Sequence, residues 1–437
     1  MELADFDFAD GDATGIAIPA HVRALIEAGP QFLTQAFRAF GSLGTDNAVV
    51  RIIDTAPCSD GNSGDKLFLA VAYERADPAL DTELFVKFSR DFADAFRDRR
   101  RYELEAEVRL AALSRHAEFP VAVAKPYFAD FNHETGTGIL ITQRIHFGTD
   151  GIEPLREKCM DHELANPMEH YRATVTALAK LAAAQQSGRL SPEVDRLFPW
   201  DAEAALADLP ISWDEAGMRG AVGRIRDFVS GSPQLFPSAI TEPAFLDRLE
   251  ADALLLLRHQ AEVRRFLYAD PRFVALAHWN TNIDNAWFWR DADGVLQAGL
   301  LDWGMVRRMN VGLSIWGGLS AAEPDMLEHG LEELLQLYAS VLAADGGAVV
   351  EPEDLGVHFD LSLVLVGFAM MMDLPTLVQA RLPGAAHASG PRDPLIRSDP
   401  VVRGFLHVAT NFLNLWARRD FIGSLERALT VTGDRRG

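Results

Sequence analysis

The chain has 437 residues, and its 63 Asp and Glu against 41 Lys and Arg leave a formal charge of −22. Binding to a phosphate backbone needs a basic surface and counterion release, so this balance argues against a nucleic-acid partner and equally against a polybasic membrane-surface protein. Apolar residues make up 48% of the chain, enough for sizeable cores and too many for a disordered protein, and the length suits two or three domains or one large two-lobed unit.

The N-terminus, MELADFDFAD, has neither the basic start nor the apolar centre of a signal peptide. Residues 1 to 47 read as a helical extension: Val22, Leu25, Ile26, Phe32, Leu33 and Phe37 recur at helical spacing, broken at Gly29-Pro30. From Ala48 the texture changes. VVRII, KLFLAVAYE and TELFVKF are short β-branched and aromatic runs between turn-rich stretches, which predicts strands. A strongly charged helix is expected from Asp91 to Arg115, then strands at Lys125–Ala129 and Gly138–Ile145. Beyond Pro154 the pattern is mostly helical, most clearly at Tyr171–Gln186, Leu327–Ala344 and Gly404–Arg418. One strand-rich island, Val274–Val306, interrupts it. The longest oily run, Leu361–Met372, is about six to eight residues short of a bilayer span. Cys58 and Cys159 form neither a disulfide framework nor a zinc-ligand spacing. A soluble chain in a reducing, cytoplasmic setting is the resulting expectation.

The predicted architecture is α+β: a sheet-rich part at 48–147 with one helix, then a larger helical part at 148–437 carrying one embedded hairpin. That hairpin lies in ALAHWNTNIDNAWFWRDADGVLQAGLLDWG, residues 275 to 304, with its turn at Asp291–Gly294. Centring the turn there sets Asn285 opposite Leu300, with Asp302 two residues on, roughly 7 Å along the strand at ~3.4 Å per residue. A carboxamide oxygen and a carboxylate at the open end of a hairpin suit Mg²⁺, which takes one or two protein oxygens plus substrate phosphates.

The order His278-Trp279-Asn280, Asn285, then Leu301-Asp302-Trp303 resembles the aminoglycoside phosphotransferase and choline kinase branch of the protein-kinase-like fold. That family carries H-G-D-x-x-x-x-N, a hairpin, and an [IL]-D-[FW] aspartate. The resemblance covers roughly residues 48 to 345. It implies a bilobal protein-kinase-like fold and transfer of a phosphoryl group from ATP, with Mg²⁺, to a hydroxyl of a small molecule. It implies Asn285 and Asp302 as metal ligands and His278 as a structural support of the loop. Lys87, mid-strand in LFVKF, becomes the phosphate-binding lysine, oriented by a helix glutamate, Glu107 or else Glu105. Gly61, Ser63 and Gly64 stand where the family covers the phosphates, and the backbone from Gln143 to Ile145 where it receives the adenine.

Three features depart from the pattern. Asn280 stands at the catalytic aspartate, and an amide cannot take a proton at neutral pH. General-base action is worth about 10²- to 10⁴-fold, whereas most of phosphoryl transfer rests on positioning and charge neutralisation. Trp279 replaces a glycine, and NVGLSIWGGL (310–319) lacks the acid that braces the family's loop. Two readings stand: a small-molecule kinase in which Asn280 orients the acceptor, and a nucleotide-binding module without turnover.

Overall fold

A computed structural model describes residues 7–58 and 64–434, and the chain divides into two compact units. The first comprises residues 1–153, 190–198 and 299–307, the second 154–189, 199–298 and 308–437. This division differs from the expected one in four ways. The N-terminal segment groups with the sheet, the boundary falls after Glu153, and both residues 190–198 and the residues around Asp302 group with the first unit.

The first unit is built on a five-stranded antiparallel sheet with the order β3-β4-β5-β8-β7. Its strands are β3 (Val49–Pro57), β4 (Lys66–Tyr73), β5 (Glu83–Phe88), β7 (Pro126–Asn132) and β8 (Thr137–Gln143). Alternation sets the buried face: Leu67, Leu69 and Val71 of β4 and Leu84, Val86 and Phe88 of β5 all lie within the core. Helix α2 (Arg97–Leu113) follows β5, and the two-residue strand β6 (Ala122–Val123) precedes β7.

The N-terminal segment is not purely helical. Two three-residue strands, β1 (Phe8–Asp10) and β2 (Ala17–Pro19), pair antiparallel ahead of α1 (Val22–Phe40). Helix α1 is kinked at Gly29, whose φ of 65° is the left-handed value a glycine tolerates, directly before Pro30. Phe32 and Phe37 pack on the sheet aromatics Phe128 and Tyr127, with ring centroids 5.9 and 5.3 Å apart. The buried Asp130 carboxylate accepts the backbone N–H groups of Ala13 (3.1 Å) and Thr14 (2.9 Å), which ties the segment to β7.

The second unit is helical around α3 (Pro167–Gln186), which packs on the helix Pro324–Ala344. The helix Val311–Leu319 is buried along its whole length. The apolar run Leu361–Met372 continues a helix that starts at Pro352, passes a π turn at Gly367–Met371 and leads on to Leu374–Arg381. Counting only the uninterrupted apolar run understated it. The 30-residue stretch Pro352–Arg381 is long and apolar enough to cross a membrane by length and composition, and 72% of its most apolar window is buried.

The hairpin falls where the turn chemistry put it. Strands β10 (Ala286–Arg290) and β11 (Leu296–Leu300) are neighbours, and the N–H of Gly294 closes the turn on the carbonyl of Asp291 at 3.0 Å. Strand β9 (Val274–Ala277), paired with β12 (Arg307–Asn310), leads into the segment His278–Asn285. The buried helix Val311–Leu319 passes that segment so closely that a Cβ at Gly317 would lie 1.7 Å from the Trp279 carbonyl oxygen. Gly317→Ala is therefore expected to cost about 1–3 kcal/mol of stability through overpacking. Urea unfolding checks it, and an unchanged midpoint would mean that helix and loop do not meet here.

Candidate functional site

Lys87 sits in the middle of β5 with only 4% of its surface exposed. A bare ammonium there would be costly, and two acids meet it. The Nζ donates to Glu107 Oε1 at 2.6 Å and to Asp302 Oδ1 at 3.3 Å. Burial alone would push the Lys87 ammonium down, but Glu107 and Asp302 outweigh it and hold the group above its ordinary value. Glu107 is equally buried; that burial pushes its carboxyl up, against the pull of Lys87. Of the two glutamates, Glu107 is the one that meets Lys87. Glu105 faces elsewhere, pairing with Arg109 and accepting from His133 Nε2 at 2.9 Å.

Asp302 differs from its partners in being 46% exposed at the side chain. Its backbone is left-handed (φ 54°, ψ 57°), a conformation that costs a non-glycine residue about 1–3 kcal/mol and that aspartate tolerates better than most. The turn Trp303–Met305 that follows is pinned by the Trp303 indole N–H, which donates to the Leu300 carbonyl at 2.9 Å. Helix α2 lies against this turn, where a Cβ on Gly304 would come within 3.1 Å of the Glu103 side chain. So α2 delivers Glu107 and receives the turn that carries Asp302.

Register adds a residue the sequence reading missed. Lys66 of β4 is directly opposite Lys87 of β5, so the two side chains leave the same face of the sheet. Partial burial and then the Lys87 charge press the Lys66 ammonium down, while Asp302 and Glu107 act against them. A lysine opening a strand gives no signal of this; only the pairing does.

Of the expected phosphate turn, Gly61 and Ser63 lie outside the described residues. Gly64 has φ +91°, and a Cβ there would fall 2.3 Å from the Phe88 carbonyl, so glycine is required for the turn to lie on the end of β5. Gln143 closes β8 with its N–H donated to Lys125 at 2.8 Å and its carbonyl accepting from the Thr142 hydroxyl at 3.1 Å. Ile145 lies two residues further on.

In the second unit, α3 ends in Gln185 and Gln186, whose side chains hold the strand that leads to the loop. Gln185 Oε1 accepts from Leu276 N–H at 3.1 Å, and Gln186 Nε2 donates to the carbonyls of Arg272 and Val274 at 2.9 and 3.2 Å. His278 is fully buried. Its Nδ1 accepts the Asn280 N–H at 3.2 Å, and its carbonyl accepts the Ser314 hydroxyl at 2.9 Å. Asn285 Nδ2 donates to the Asn280 carbonyl at 2.9 Å, which leaves the carboxamide oxygen as the end suited to a hard cation. Side chains of the second unit brace this loop. Ser314 holds the loop from the helix Val311–Leu319. Asn282 holds it from the end of that helix, where Ala321 N–H donates to Asn282 Oδ1 at 3.1 Å.

Asn280 is itself engaged. Its Oδ1 accepts from Asn282 Nδ2 at 3.1 Å and from Lys158 Nζ at 3.4 Å. Lys158 precedes Cys159, a buried residue with a left-handed φ of 58°, and then Asp161, only 3% exposed, which accepts the Tyr171 hydroxyl. Burial pushes the Asp161 carboxyl up to about 7, opposed by the Tyr171 bond and reinforced by the charge of Asp284. Among the described residues no group of three or more His, Cys, Asp or Glu side chains could hold a metal ion by itself.

No family model and no curated protein matches the sequence. Among solved structures, a choline kinase from Cryptosporidium parvum is similar at 12% identity over 87% of this chain and 90% of that one, with a TM-score of 0.38. A choline/ethanolamine kinase family protein from Mesorhizobium loti is 13% identical over 86% and 92%, TM-score 0.41. The GDP complex of aminoglycoside 2'-phosphotransferase-IIIa is 13% identical over 76% and 88%, TM-score 0.35. Likenesses at these identities and scores carry no argument about activity, and the chemistry is taken from the chain's own residues.

Two outcomes follow. Glu107→Ala is expected to destabilise the protein by about 3–5 kcal/mol because it leaves a buried ammonium short of a partner, whereas Lys87→Met with Glu107→Leu should recover most of that loss. Urea melts of the three proteins read both numbers. Because folded Asp161 keeps its proton to about pH 7 and the ordinary value is 3.8, its contribution to stability is lost as pH rises through that window. Asp161→Asn should therefore melt above the unaltered protein by a margin that widens from about pH 4 to about pH 7 and levels off beyond it. A constant margin would show that Asp161 is ionised throughout.

Proposed function

We propose that the protein transfers a phosphoryl group from a magnesium-bound nucleoside triphosphate, ATP in the first instance, to a small-molecule acceptor. The observation that supports it most directly is the Lys87–Glu107–Asp302 cluster: a buried ammonium, oriented by a buried carboxylate, next to an exposed carboxylate on a strained backbone. A structural ion pair needs neither the third group nor the strain.

In this reading Lys87 holds the α- and β-phosphates, and Lys66 adds a second positive charge on the same face of the sheet. Gly64, with Gly61 and Ser63 just before it in the sequence, would offer backbone N–H groups to phosphate oxygens. The base is received by the backbone at Ile145, since the Gln143 N–H is committed to Lys125. Asp302 and Asn285 are each of a donor type that would suit Mg²⁺, one a carboxylate and the other an amide oxygen. When bound, that ion neutralises charge on the phosphates during transfer. Glu107 keeps Lys87 charged and aimed, and His278, Asn282 and Ser314 hold the loop still, so that positioning supplies most of the rate.

The second reading, a nucleotide-binding module without turnover, is favoured by one observation: Asn280 cannot accept a proton. The two separate on consumption. Magnesium-dependent nucleotide binding that never releases diphosphate, whatever the acceptor, would select the binding module.

The test of the shared core is a thermal-shift titration with ATP, with and without Mg²⁺, on the unaltered protein and on Asp302→Asn, which removes the charge and keeps a residue tolerant of the left-handed backbone. Stabilisation that requires Mg²⁺ and disappears in the variant is the expected result. No shift at millimolar ATP would sink both readings, and full retention in the variant would show that Asp302 is not the metal aspartate.

A further inference from the structure

We infer that the acceptor is a carboxylate, so that the product is an acyl phosphate; this rests on the phosphotransferase reading and replaces the hydroxyl acceptor that the family resemblance implied. The inference comes from which end of Asn280 the loop leaves available, and a chain of hydrogen bonds fixes that end.

The chain starts at a donor that cannot be reversed. Ala321 donates a backbone N–H to Asn282, so the atom that receives it is the oxygen and the other end of the Asn282 side chain is the NH₂ group. That NH₂ group is 3.1 Å from Asn280, so the Asn280 atom facing it is again the oxygen. Lys158 gives the same answer independently. An ammonium has three donors and no acceptor, so the Asn280 atom 3.4 Å from its Nζ must be the oxygen. Two donors converge on Oδ1, and among the described residues the amide NH₂ of Asn280 is the end not committed to the loop.

A carboxylate at this position could accept a proton from a hydroxyl. Asn280 does the opposite: its uncommitted end carries N–H donors, and the Lys158 ammonium sits at the oxygen end of the same carboxamide. That pair matches a ligand that is an acceptor and an anion. The Lys158 backbone is itself built in, with its carbonyl accepting from Arg403 Nε at 3.2 Å and the left-handed Cys159 following. Arg403 is buried and also pairs with Glu157 at 3.1 Å. Two acids in this region, Asp284 and Asp161, oppose an anion, but Asp161 is shielded by burial and by the Tyr171 hydroxyl.

The chemistry then closes without a base. A carboxylate oxygen is ionised at neutral pH and attacks the γ-phosphorus with its own electron pair. One P–O bond forms, the bond from the γ-phosphorus to the bridging oxygen breaks, and that electron pair leaves with the nucleoside diphosphate. No proton moves. An aspartate at 280 would put a like charge against the incoming carboxylate; the amide removes that repulsion and supplies a hydrogen bond.

The experiment uses the intact protein with ATP and Mg²⁺, a set of short mono-, di- and amino-carboxylates, and the alcohols that match them. ADP release is followed together with hydroxylamine trapping, which converts an acyl phosphate to a hydroxamate. ADP release with hydroxamate from at least one carboxylate, and none from its alcohol, is the expected result. Lys158→Met should then raise the KM for that carboxylate about tenfold, the loss of one charge-assisted hydrogen bond, with nucleotide affinity unchanged. Asn280→Asp should lower transfer to the carboxylate and favour the matching alcohol.

ADP release with alcohols and no hydroxamate would overturn the inference and leave the phosphotransferase reading standing. Nucleotide binding with no release from either class would overturn it in favour of the binding module. Absence of nucleotide binding would remove the reading beneath it.

Discussion

The ammonium of Lys87 has been taken out of water and given two carboxylates, and much of the first unit is arranged around that exchange. Moving a charge into a protein interior costs several kcal/mol even after relaxation, and only close, well-aligned partners return it. One partner, Glu107, comes from α2 and is buried as deeply as the lysine. The other, Asp302, arrives on a turn that α2 also holds. Sheet, helix and turn are therefore bound to one another by a charge as well as by apolar packing. Because Asp302 is the exposed member, the cluster has one side that solvent or a ligand can reach.

The loop from His278 to Asn285 solves a different problem. It is irregular backbone beside a fully buried helix, so its polar groups need partners that no helix or sheet ladder supplies. Three side chains provide them: Ser314 to the His278 carbonyl, Asn282 to Ala321, and Asn285 to the Asn280 carbonyl. Glycine at 317 and 318 lets the helix come close enough for this to work. A carboxylate brace is unnecessary where hydroxyl and amide groups are already in register. The indole N–H of Trp279 and the hydroxyl of Thr281 are buried and unpaired among the described residues, so the loop's polar groups are not all satisfied.

How much of this was legible follows from which signals are local. The strands, the hairpin turn at Asp291–Gly294 and the spacing from His278 to Asp302 are written in short-range pattern, and the α+β arrangement with a hairpin inside the helical part follows from them. Two strands of three residues, β1 and β2, are too short to show a period, so the N-terminal segment looked purely helical. Glu105 and Glu107 could not be separated because charged residues ring α2 in RDRRRYELEAEVR, leaving no face marked for the sheet. Lys66 and Lys158 were invisible for a stronger reason. Each acquires its meaning from a partner across a strand pairing or a fold, Lys87 in one case and Asn280 in the other, and nothing in the neighbouring sequence announces it.

The left-handed backbone at Asp302 limits what evolution or an engineer can place there. Glycine enters that region of conformational space freely, and aspartate and asparagine at less cost than β-branched or bulky residues. Two of the three lack a carboxylate, and each is one nucleotide change from an aspartate codon. The easiest drift at this position therefore keeps the shape of the turn while silencing its charge.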